Sequence, residues 1–120
     1  MVKIAEDWTA EDVLRHDYVK EPYLRIYKID VSGRLRIYIN RLAYDALDKP
    51  EYVQILLKSN SSGHMIRLVP SVRGLKNARP LRTTAGMVVM GGGASLVKKY
   101  KMPVGYYIMG NQGIFTWKYA

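Results

Sequence analysis

Lys28-Ile29-Asp30-Val31-Ser32-Gly33-Arg34-Leu35-Arg36-Ile37-Tyr38-Ile39 is the stretch that decides the fold. It reads as two short strands about a tight turn. Ile29 and Val31 alternate with polar residues before the bend, and Leu35, Ile37 and Ile39 alternate after it. A period of two predicts half-buried strands. Ser32-Gly33 supplies the turn, because glycine reaches positive φ without a Cβ clash. Arg34 and Arg36 fall between the apolar positions, so both are expected on the solvent face. The hairpin then has one apolar face and one basic face.

Downstream, Arg41–Asp48 reads as a short helix, with Leu42, Ala43, Ala46 and Leu47 on one side. Lys49-Pro50 stops it. Tyr52–Lys58 and Met65–Val69 alternate as strands, joined by the turn chemistry of Ser59-Asn60-Ser61-Ser62-Gly63 and followed by Pro70. The ordered set Lys28, Ile29, Asp30, Gly33-Arg34, Ile37, Ile39, then helix and two strands, resembles the AbrB-like swapped-hairpin family of DNA-binding proteins over roughly residues 24–70. Two departures stand out: Tyr38 occupies a position where many members have proline, and the helix opens with Arg41 alone where a pair of arginines is common. The resemblance implies interleaved hairpins closing a barrel. It also implies binding to double-stranded DNA, as a transcriptional regulator or DNA-coating protein, with Arg34 and Arg36 on or in the major groove.

Residues 83–120 repeat the plan of residues 23–70. Met87–Met90 reads as a strand, Gly91-Gly92-Gly93 as a loop and Ala94–Lys101 as a helix. Pro103–Met109 echoes Pro50–Leu56, Gly110–Gly113 is a turn, and Ile114–Tyr119 is the last strand. This predicts a diverged internal duplication, an MraZ-like arrangement that can close the barrel within one chain; single-unit members need a homodimer, and a homodimer is an open alternative for this chain too. The expected fold class is mostly β: a swapped-hairpin (AbrB/cradle-loop type) barrel from two βαββ-like halves with short helices, plus an N-terminal helical arm. The divisions are an acidic arm (1–22), a first unit (23–70), a basic connection (71–82) and a second unit (83–120). In the connection, Arg73, Lys76, Arg79 and Arg82 recur every third residue. Gly74 and Pro80 oppose a helix there, so the segment is expected to be extended, with its four cations able to follow a phosphate backbone.

Charge is regional. The 120 residues carry a net +9, but 1–22 carry −3, 23–70 carry +4 and 71–120 carry +8, and no acidic side chain follows Glu51. Such a field attracts polyanions, nucleic acid first. The arm reads as an acidic cover over a basic surface, as a partner-binding arm, or as a solvated helix capped by Thr9 that fills the end of the barrel, with Trp8, Val13 and Leu14 able to pack on the body. With no cysteine, disulfides and cysteine-ligated metals are excluded and a cytoplasmic, intracellular location is favoured. No apolar run approaches the ~20 residues of a membrane helix, and the acidic start does not read as a signal peptide.

Nothing in the sequence points to catalysis or to a cofactor. His16 and His64 are read as isolated, the former among acids in the arm and the latter in a turn, and two histidines without nearby cysteine or paired carboxylates make a poor metal set. The triple glycine lacks the Gly-Lys-Ser/Thr of a nucleotide loop and is expected to be a turn that needs small residues. Tyr23, Tyr27, Tyr38, Tyr52, Tyr106, Tyr107, Trp117 and Tyr119 all fall in predicted strands. Most are expected in the core, although outward rings beside cations would suit single-stranded nucleic acid. The expected function is non-enzymatic nucleic-acid binding through Lys28, Arg34, Arg36, Arg41, Arg73, Lys76, Arg79 and Arg82, with duplex DNA favoured. RNA binding, including ribosome association, is one alternative; a structural or assembly role, including a viral one, is the other.

Overall fold

The structure, a computed structural model, describes residues 21–29, 31–84, 87–111 and 113–119. Strands β1 (Tyr23–Lys28) and β2 (Leu35–Ile39) form the opening hairpin. Leu24 lies opposite Ile39 and Ile26 opposite Ile37, and all four are buried. The inward pair of the first strand is therefore Leu24 and Ile26, upstream of the Ile29 and Val31 expected from the pattern. The ladder ends at Lys28–Leu35, and the Ile29 N–H closes the loop on the Arg34 carbonyl at 2.9 Å. Val31 sits on that loop and is fully exposed.

Helix α1 (Arg41–Ala46) follows at once. Its start is fixed by Asn40, whose Oδ1 accepts from the Ala43 N–H at 3.0 Å as an N-cap. Only Ala43 and, just past the helix, Leu47 are buried; Leu42 and Ala46 are exposed. A helix of six residues makes under two turns and presents a narrower stripe than the expected four positions.

Strands β3 (Tyr52–Asn60) and β4 (Gly63–Ser71) make a long hairpin, and β4 runs through Pro70. The Leu68 N–H points to the Gly113 carbonyl (2.7 Å), so Pro70, two residues on, turns its missing donor to the same side. The pairing of β4 on that side ends at Arg67, so no ladder bond is lost. The chain continues through β5 (Ala78–Pro80), β6 (Arg82–Thr84) and β7 (Met87–Met90), a π-helix (Ser95–Lys99), β8 (Gly105–Met109) and β9 (Ile114–Tyr119).

Among the described residues, nine strands belong to one antiparallel sheet, in the order β5-β3-β4-β9-β8-β1-β2-β7-β6. Its two end strands, β5 and β6, are separated in the chain only by Leu81, so the sheet curls into a nearly closed barrel. Inside lie Leu24, Ile26, Ile37, Ile39, Val53, Ile66, Leu68, Tyr107 and Phe115, each no more than 1% exposed. Burying a branched aliphatic side chain contributes ~1.5–3 kcal/mol, so this interior dominates the stability. Leu96 of the π-helix and Met102 join the same core. Among the described residues the fold is thus mostly β with two short helices. The arm expected over residues 1–22 lies, except for Glu21 and Pro22, outside the described residues.

The basic stretch 71–82 is not a single extended connection. Ser71 ends β4, the chain turns through bonds from Leu75 N–H to Val72 O and from Ala78 N–H to Leu75 O, and strands resume at Ala78.

Candidate nucleic-acid interface

The eight cations expected to bind nucleic acid separate into three places. Lys28 and Arg34 are exposed at the looped end of the β1–β2 hairpin. Arg36, two residues further along β2, lies opposite Tyr27. Arg36 and Arg82 then line one open cleft of about 380 Å³ with Leu35, Thr83, Thr84, Val89, Met90 and Gly91. Arg82 reaches it because β6 pairs with β7, placing Arg82 opposite Val89, and Val89 opposite Tyr38 of β2. Cations far apart in the sequence therefore meet on the outer face of the barrel.

Arg79 comes to the same place from the other side. It lies opposite the fully buried Val53 and so faces inward, whereas Arg82 faces outward. A spacing of three puts two strand residues on opposite faces, because side chains alternate. The four cations 73, 76, 79 and 82 therefore do not form one row. Arg79 Nη1 donates to the Gly91 carbonyl at 3.3 Å. Arg73 and Lys76 stay on the exposed turn; the Lys76 carbonyl accepts from Gln54 Nε2 at 3.0 Å. Arg41 is exposed beyond the far end of β2 from Arg34, roughly 20 Å away at the strand rise per residue.

The triple glycine organises this meeting point. Gly92 has φ +94°, and a Cβ there would overlap the Arg79 guanidinium. A Cβ on Gly93 would come within 3.1 Å of the Leu35 backbone. Small residues are needed at both positions, while Gly91 has open space around it.

Arg25 lies outside the expected set, yet it sits at the centre of the outer face. Across the sheet, Arg82, Val89, Tyr38, Arg25, Tyr106 and Tyr119 form one row of directly opposed residues. The Arg25 guanidinium lies 4.9 Å from the ring centroids of both Tyr27 and Tyr106. Tyr23 packs on Tyr38 and Tyr106 at 5.8 and 5.2 Å, and Tyr106 on Tyr119 at 5.2 Å. The signal is present as the period-two run Tyr23, Arg25, Tyr27, which puts all three on the face opposite Leu24 and Ile26. Burial pushes the Tyr23 hydroxyl well above the ordinary tyrosine range, and Tyr38 and Tyr106 reinforce it. Tyr106 is raised by burial and partly restrained by Arg25. These rings are already packed on one another and on Arg25.

His64 is not isolated. Its Nδ1 lies 2.9 Å from Ser59 Oγ at the end of the β3–β4 hairpin, with Trp117 edge-on to the imidazole. The Ser59 hydroxyl also donates to Met102 Sδ at 3.6 Å. Among the described residues no three histidine, aspartate or glutamate side chains gather as a metal set, and no helix is long and apolar enough to cross a membrane. Comparison with protein-family models, curated proteins and solved structures finds no match to this chain.

Proposed function

We propose that this chain is a non-enzymatic, duplicated AbrB-like barrel that binds double-stranded DNA through the β1–β2 hairpin and the cleft beside it. The observation that carries the reading is the cleft shared by Arg36 and Arg82, one from each half of the chain. Phosphates are bound by cations at a groove's edge, and such contacts supply most of the affinity. Arg34 and Lys28 extend the charged surface to the hairpin tip.

The strand pairing supports the duplication. Let β1, β2, β3 and β4 correspond to the β5–β6 segment, β7, β8 and β9. Then β1 pairs with β2 and β8, and the β5–β6 segment pairs with β7 and β3. The remaining cross-pairs, β2–β7 and β4–β9, join corresponding strands. Each helix is also followed by a lysine with positive φ, Lys49 (49°) and Lys101 (60°), and a proline before the next strand. Interleaving of this kind is what a swapped-hairpin pair requires.

The test is anisotropy with a labelled DNA duplex, with RNA and single-stranded DNA as competitors. Replacing Arg36 and Arg82 together by alanine removes two phosphate-binding cations. Duplex binding should weaken by about tenfold or more, with the protein still folded. Unchanged affinity in the double variant would remove the cleft from the interface; RNA competing better than duplex would move the function to RNA.

A further inference from the structure

The β3 strand is covered on one edge for only part of its length. Its pairing with β5 involves Tyr52, Val53 and Gln54 and stops there. The cause is the turn at 72–77, where the Lys76 carbonyl takes the Gln54 side chain and the strand neighbour ends. Over Ile55–Asn60 the edge has no partner among the described residues. By contrast β8, the third strand of the other half, has β1 on its edge at Gly105–Ile108. Alternate residues of the free edge therefore present backbone N–H and C=O groups outward, a template for another strand.

That edge is one wall of a groove. A cleft of about 430 Å³ lies beside it, lined by Ile55 and Leu57 of β3, Leu96 and Tyr100 of the π-helix region, and Arg79. Tyr100 is half exposed. The helix that lines it is a π-helix, closed by the bond from Tyr100 N–H to Ser95 O at 3.2 Å, a form of helix frequent at functional sites. An added strand along β3 would place alternate side chains toward this groove.

We propose that the free edge of β3 binds an extended acidic peptide as an added strand. The occupant follows from charge and bonding together. Lys58 lies on the edge, Arg79 in the groove, and Lys99 over the Tyr100 ring at 5.3 Å. No carboxylate side chain follows Glu51 in the sequence to oppose them. A nucleic acid backbone lacks the alternating donors and acceptors that a strand edge pairs with. A second copy would bring another +9 of charge and oppose two Lys58 edges in one seam. Lys58 lies five residues from inward Val53 and so stands on the outer face. An extended peptide with aliphatic residues toward the groove and acidic residues toward Lys58 satisfies the edge, the groove and that cation, while Arg79 stays on the groove side. This site is independent of the DNA reading.

The experiment uses the full chain and four labelled heptapeptides: Glu-Val-Glu-Leu-Glu-Val-Glu, its lysine counterpart, and two forms of the acidic peptide with alternate amides N-methylated. Two methylated versions cover the two strand registers. Anisotropy should show binding of the acidic peptide, none of the lysine peptide, and at least a tenfold loss in one methylated version. Lys58→Glu, an exposed change, should weaken the acidic peptide several-fold while leaving duplex DNA binding intact, and amide shifts should centre on Ile55–Asn60. No binding of the acidic peptide, equal binding of all versions, or shifts centred elsewhere would overturn the proposal. Concentration-dependent dimers whose interface maps to Ile55–Asn60 would overturn it in favour of a second copy.

Discussion

Replacing Asn40 by alanine should be among the most destabilising single changes in this chain. Asn40 is 8% exposed and uses three bonds. Its Oδ1 accepts from the Ala43 N–H and the Tyr23 N–H, each at 3.0 Å, and its Nδ2 donates to the Glu21 carbonyl at 2.9 Å. One side chain thus starts α1 and pins the first residues of β1 to it. Loss of an N-cap costs about 1 kcal/mol. The Tyr23 amide would also be left buried without an acceptor, which costs about 1–3 kcal/mol. The total is about 2–4 kcal/mol, or a fall in Tm of about 10–20 °C for a domain of this size. Urea and thermal unfolding followed by circular dichroism measure it. Asn40→Asp is the control: its carboxylate keeps the acceptor for Ala43 and Tyr23 but opposes the Glu21 carbonyl, so its cost should be smaller. A loss below about 0.5 kcal/mol in the alanine variant, the level of an ordinary surface change, would refute the pinning role.

Gly92→Ala should destabilise by about 1–3 kcal/mol, since its backbone is left-handed and a Cβ also displaces the Arg79 guanidinium, which can move at little cost, while Gly91→Ala should be neutral; paired thermal melts check both. Stability should fall above pH 10, because Tyr23 and Tyr107 are raised by burial above their ordinary value of 10.0. A raised pKa contributes its stability in full below the unfolded value and loses it as pH rises toward the folded one. Melts from pH 8 to 11 should show the decline, less steep in Tyr107→Phe, which gives up the bond to the Pro103 carbonyl. If the hairpin binds phosphates, Arg34→Ala with Arg36→Ala should lower the slope of log affinity against log salt by about 2, at ~0.9 per phosphate; duplex titrations from low to moderate salt read the slope directly.

The residues that carry strong alternation are readable as elements. Ile37 and Ile39, Val88 and Met90, and Ile114–Tyr119 stand in the strands expected of them. The first strand lies upstream of its expected place because Ile29 and Val31 alternate as well as Leu24 and Ile26 do. Only the closure of the loop on Arg34 O shows which pair enters the ladder. The basic stretch departs from expectation for a different reason. Gly74 and Pro80 correctly exclude a helix, but a strand of three residues has no period to detect. Its neighbours, Val53 on one side and Val89 on the other, are distant in sequence. Arg25 escapes a reading that weighs the charges beside the turn but not the tyrosines that flank this arginine at a spacing of two.

Closure of the barrel and its charge are coupled through Ala78–Thr84. This segment serves two neighbours in succession, with Pro80 opposite Tyr52 and Arg82 opposite Val89. At the handover the Leu81 N–H takes the Glu51 carbonyl at 2.9 Å, so the amide between the two ladders is satisfied. Each side of the seam has three pairs, the same number as β2–β7 and β4–β9 and fewer than the β1–β2 or β3–β4 hairpins. Arg36 stands on β2 and Arg82 on β6, with β7 between them. A polyanion held by both would bridge the strands on either side of β7 and oppose opening of the seam there. Arg79, whose Nη1 donates to the Gly91 carbonyl, ties the same segment to the end of β7. Under the proposed function, binding and barrel closure would therefore stabilise one another through the seven residues that carry both arginines.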